Sequence, residues 1–71
     1  MMYLIRIDYE SKLSSSPGPK HRAIARVQST NILQRAVKLL GDERSEIYDI
    51  SIEAHVNMDA PDYLIVKGEK P

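Results

Sequence analysis

The stretch that most constrains this chain is Ser29 to Gly41, STNILQRAVKLLG, the one segment of its 71 residues that reads as a helix from end to end. At about 100° per residue, Leu39, Ile32, Ala36, Leu40, Leu33 and Val37 fall on one continuous apolar face. Asn31, Gln34, Arg35 and Lys38 fall on the other. Ser29 or Thr30 is placed to accept a hydrogen bond from the orphan N–H groups at the start, Lys38 suits the last turn, and Gly41 suits the left-handed stop. A single helix with one apolar face needs a sheet to cover, and the rest of the chain supplies strands.

Met2 to Glu10 alternates with period two, placing Tyr3, Ile5, Ile7 and Tyr9 on one face and Leu4, Arg6, Asp8 and Glu10 on the other. Its apolar density predicts a central strand. Residues 11–21, SKLSSSPGPKH, combine a serine run with Pro-Gly-Pro and read as a flexible loop. Arg22 to Gln28 reads as a second strand with Ala23, Ala25 and Val27 inward; the polar residues Gln28 to Asn31 argue against its being a backward extension of the helix. Glu46 to Val56 predicts a third strand with Tyr48, Ile50, Ile52, Ala54 and Val56 on one face and Asp49, Ser51, Glu53 and His55 on the other. Asn57 to Asp62 stands where a hairpin connection is expected, Tyr63 to Lys67 returns as a fourth strand, and residues 68–71 are expected to fray.

The expected architecture is therefore one α+β domain over residues 1–71, ββαββ, with a four-stranded antiparallel sheet in the order 2-1-3-4 and the helix on one face. Its open face is expected to carry Arg6, Asp8, Arg22, Arg26, Asp49, Glu53 and His55. A chain this short buries only roughly 60 % of its unfolded surface. With no cysteine, neither a disulfide nor a thiolate metal site supplements that core. Apolar runs of about four residues are far short of the roughly 20 that a membrane helix needs. The start, Met-Met-Tyr-Leu-Ile-Arg, lacks a signal-peptide core, so an intact cytoplasmic domain without membrane contact is the expectation.

No nucleotide loop, nucleophile elbow, zinc-protease or calcium-loop motif is present, and neither an enzyme nor a cofactor is expected. Glu53 and His55 share one strand face in this reading, a surface pair without a third ligand of similar quality. The charge pattern says more. Residues 1–40 hold seven Lys or Arg against two acids, and residues 41–71 hold three against eight, so a net charge of zero conceals halves of +5 and −5. The halves either neutralise each other across the sheet or present a charged edge to a partner. Lys20, Arg22 and Arg26 near the second strand, with Arg35 and Lys38 on the helix, form the candidate partner-binding set. The tyrosines Tyr3, Tyr9 and Tyr48 are expected to point toward the helix rather than to serve as a base-stacking platform.

The layout resembles that of the small single-helix anti-CRISPR proteins that phages direct against type I systems. The resemblance lies in a first strand YLIRIDYE, a loop, a short strand running into one helix (RAIARVQSTNILQRAVKLL), and the strands EIYDISIEAHV and YLIVK. It implies an inhibitor that docks on a CRISPR effector and occludes its nucleic-acid surface or restrains its motion. It carries over no individual residue; the expectation that the chain blocks a larger host protein or ribonucleoprotein complex sterically, through its sheet edge and the basic set, rests on the charge pattern and the small size. The alternatives are a small nucleic-acid-binding protein using the same cations, which would bind less tightly at high salt, and a homodimeric structural or regulatory domain.

Overall fold

The computed structural model describes residues 1–10, 20–41 and 46–69. Its elements are β1 (Met2–Glu10), β2 (Lys20–Gln28), α1 (Ile32–Leu40), β3 (Glu46–Val56) and β4 (Tyr63–Glu69), an α+β arrangement with four antiparallel strands in one open sheet. Strand β2 begins at Lys20, two residues before the expected start, and β4 carries the chain through Gly68 and Glu69, which pair with Arg22 and His21 where fraying was expected. The expected flexible loop and the last two residues lie outside the described residues, except for Lys20 and His21.

β1 is central, as its apolar alternation predicts, and pairs with β2 at nine consecutive positions without interruption. The sheet order is β3-β1-β2-β4, so β4 lies on β2 and not beside β3 as the order 2-1-3-4 placed it. The reason is in residues 57–62. They do not close a tight turn but cross the end of the sheet, where the end of β2 offers them partners: the Gln28 backbone N–H donates to Asp62 Oδ1 at 2.9 Å, the Gln28 side-chain amide donates to the Ala60 carbonyl at 2.9 Å, and Arg26 Nη2 donates to the Pro61 carbonyl at 3.2 Å. Six residues reach roughly 20 Å when extended, enough to pass two strands spaced about 4.8 Å apart.

The core lies between the helix and the sheet: the helix packs on β2 and β4, and the buried cluster continues onto β1. Ile5, Ile7, Tyr9, Ala23, Ala25 and Val27 meet Ala36 and Leu40, with Tyr3, Ile32, Leu39, Ile47, Ile50 and Leu64 packed around them. The alanines of β2 let the helix approach closely; the isoleucines of β1 supply the apolar area, each worth about 1.5–3 kcal/mol when fully buried. The helix begins later than expected, after Asn31, whose backbone is left-handed (φ 52) and whose side chain makes no capping bond, so neither Ser29 nor Thr30 caps it. Gly41 ends it as expected, left-handed at φ 68, with its N–H donating to the Val37 carbonyl at 3.3 Å. Leu33 is 59 % exposed and Val37 is also exposed, so the helix covers less than its full apolar face.

Strand β3 departs from strict alternation. Its pairing with β1 shifts between Leu4 and Ile5 and again between Asp8 and Tyr9, leaving Glu53 and Tyr48 as the extra residues of two bulges. Each bulge inverts the alternation. His55 therefore pairs with Tyr3 on the helix side, while Ala54 pairs with Leu4 on the open side, the reverse of the expected assignment.

Ile7→Ala is expected to cost about 2–5 kcal/mol, whereas Leu33→Ala is expected to stay within about 0.5 kcal/mol. Urea denaturation followed by circular dichroism reads both. For 71 residues at about 0.05–0.15 kcal/mol per residue, total stability is roughly 4–11 kcal/mol, so Ile7→Ala is expected to lower the urea midpoint by a large fraction.

Candidate functional site

The two faces of the sheet separate the five candidate basic residues. Lys20, Arg22 and Arg26 lie on β2 at positions paired with Glu10, Asp8 and Leu4, on the face away from the helix; Arg35 and Lys38 lie on the helix itself. They form no single patch. Most are also engaged within the molecule. Arg22 makes a two-pronged contact with Asp8 (Nε–Oδ1 2.8 Å, Nη2–Oδ2 3.4 Å), and this hydrogen bond raises its pKa further above an already high value. Lys20 lies 3.5 Å from Glu10 Oε2 and 4.7 Å from the centre of the Tyr48 ring. Tyr48 thus sits at a bulge, 43 % exposed and under a lysine, rather than on the helix-facing stripe where it was expected.

Asp8 is only 3 % exposed although it lies on the open face. Arg22 and Arg6 flank it, and Arg6 continues to Asp49 at 3.0 Å and Glu53 at 3.9 Å. Signs alternate across three strands, so much of the charge split is cancelled within the fold. Glu53 and His55, the expected acid–imidazole pair, are drawn apart by the bulge: Glu53 faces Arg6, and the His55 ring packs edge-on against Tyr3 with centroids 4.8 Å apart. Among the described residues no three metal-ligating side chains gather, and no helix is long and apolar enough to cross a membrane.

On the helix side, Arg35 Nε donates to the Thr30 carbonyl at 2.7 Å and Nη1 to Asp62 Oδ2 at 2.9 Å. Burial acts to raise the Asp62 pKa, but the bonds from Arg35 and the Gln28 backbone, with the nearby charges of Arg35 and Lys38, outweigh it and hold the carboxyl below its ordinary value. An open, polar cleft of about 240 Å³ runs beside this junction, lined by Asn31, Gln34, Arg35, Lys38 and Asp62. Asp62 occupies its strongest donor.

A different surface is both open and apolar. On the open face, Ile24 pairs with Val66 and Arg26 with Tyr63, and Leu4 lies on the far side of Arg26. Tyr63 is 58 % and Val66 55 % exposed. The Arg26 guanidinium carbon lies 5.5 Å from the Tyr63 ring centre. Of these residues only Arg26 belongs to the sequence-derived set. The signal for the others is the run Tyr63-Leu64-Ile65-Val66: four successive apolar residues in a strand cannot all face one core, and half of them must emerge on the other side.

Replacing Asp62 by Ala removes two charge-assisted hydrogen bonds and is expected to cost about 1–2 kcal/mol at neutral pH. Because Asp62 ionises at a lower pH when folded than when unfolded, its contribution is complete above the ordinary carboxylate value of about 4 and is lost as pH falls through the depressed folded value. Urea midpoints of native and Asp62→Asn chains are therefore expected to differ at pH 7 and to converge in acid. A gap that persists in acid would place the effect elsewhere than in the Asp62 charge. No protein-family model, curated protein or solved structure matches this chain.

Proposed function

We propose that this chain is a non-enzymatic protein-binding module that docks on a larger partner through the open face of its sheet beside β4. The observation that carries this reading is the exposed Tyr63–Val66 pair set against Arg26 and Ile24. Tyrosine and arginine beside aliphatic side chains are the residue types that concentrate binding energy at protein interfaces. The layout shared with small phage inhibitors makes a type I CRISPR effector complex the first partner to test, and the action proposed is steric: the module covers a surface that the partner needs free. Nucleic-acid binding is favoured less, because Lys20, Arg22 and Arg35 already face carboxylates.

The test is binding of the fluorescently labelled chain to purified type I effector complexes, with labelled DNA and RNA alone as controls. A Tyr63→Ser/Val66→Ser variant, folded by circular dichroism, is expected to bind at least about 10-fold more weakly. Binding to nucleic acid alone that falls steeply with salt, and survives the double substitution, would replace this reading with direct nucleic-acid recognition.

A further inference from the structure

Resting on the protein-docking reading above, we infer that the partner surface is acidic and apolar: a carboxylate that meets Arg26, next to an aliphatic or aromatic side chain that lies across Tyr63 and Val66. The argument starts from how the open-face cations are matched. Arg6 has Asp49, Arg22 has Asp8 and Lys20 has Glu10. Arg26 has no carboxylate among the described residues. Its Nη2 reaches only the Pro61 carbonyl, its Nε is buried without an acceptor, and its charge rests over the Tyr63 ring.

Docking an apolar surface on Tyr63 and Val66 removes water from Arg26 as well. That step is unfavourable unless the incoming surface brings acceptors for the remaining guanidinium N–H groups, and a carboxylate, with two oxygens and a charge, meets a guanidinium best. A nucleic-acid backbone would bring a line of phosphates and needs a line of unpaired cations. Here one arginine stands within an apolar rim, and its basic neighbours on this face are already neutralised. A second copy of the chain is disfavoured on the same ground, since a two-fold contact through this patch presents the same Arg26-centred surface from both sides with no acid of its own.

Selection of a displayed random 12-residue peptide library on the immobilised chain tests this directly. The expected result is enrichment of peptides with Asp or Glu beside aliphatic or aromatic residues. Their affinity should fall at least tenfold on Arg26→Gln, recover in part on Arg26→Lys, and change little on Lys20→Gln. All variants are checked for native amide dispersion by NMR, and Arg26→Lys keeps the test decisive should Arg26→Gln unfold. Enriched peptides that are neutral or basic, and that need Tyr63 and Val66 but not Arg26, would overturn the acidic-partner inference while leaving the docking reading intact. No enrichment, enrichment indifferent to all three residues, or dimerisation of the chain alone through this patch would overturn both.

Discussion

A single nine-residue helix must cover a four-stranded sheet, and most of the structure follows from its being too small to do so. Such a helix is roughly 13 Å long and 10 Å across, and here it packs on β2 and β4. The alanines of β2 admit it closely. β4 completes the platform beneath it, with Leu64 packed against the core and Lys67 Nζ 3.3 Å from the Leu40 carbonyl. Arg35 leans to this side to reach Asp62, which leaves Leu33 and Val37 on the opposite flank, toward strands the helix does not cover. The exposure of two of the six residues on the helix's apolar face follows from this shortage of covering surface.

The open face has no helix and is organised by charge instead. The alternation Arg22, Asp8, Arg6, Asp49 runs from β2 across β1 to β3, with Asp8 buried at its centre. Exposed pairs of this kind add little stability, commonly 0–1 kcal/mol each. Their stronger effect is on register, because a one-residue slip would turn these charged side chains from the open face toward the core. Toward β4 the charges stop and Ile24, Val66 and Tyr63 take over, so this face has a self-satisfied half and a half that ends in one cation without a carboxylate.

The legible parts of the sequence were those governed by local period. β1, the inward residues of β2, the helix and its glycine stop all follow from spacing, and so does the α+β class. The two bulges of β3 were not legible, because no glycine or proline marks Glu53 or Tyr48, and each inverts every inward and outward assignment beyond it. The position of β4 was not legible either: alternation encodes which face a residue takes, whereas the neighbouring strand is chosen by distant groups such as Gln28 and Arg35. For the candidate surface, composition named Arg26 along with four other cations equally. Only the folded arrangement shows which of their charges already face carboxylates: Lys20, Arg22 and Arg35 do.

Both outer strands carry bulges, two on β3 and one at Ile65 of β4, while the central β1–β2 pair carries none. A bulge breaks the row of free backbone groups that an added strand would need. Recognition by strand addition is thus discouraged at either edge, and side chains on the faces are what remain. The Tyr63–Val66 patch alone is small against the roughly 800 Å² per partner of a standard interface. The proposed docking surface has room to extend past β4, over the exposed Ile65 and the exposed Met58 of the crossover.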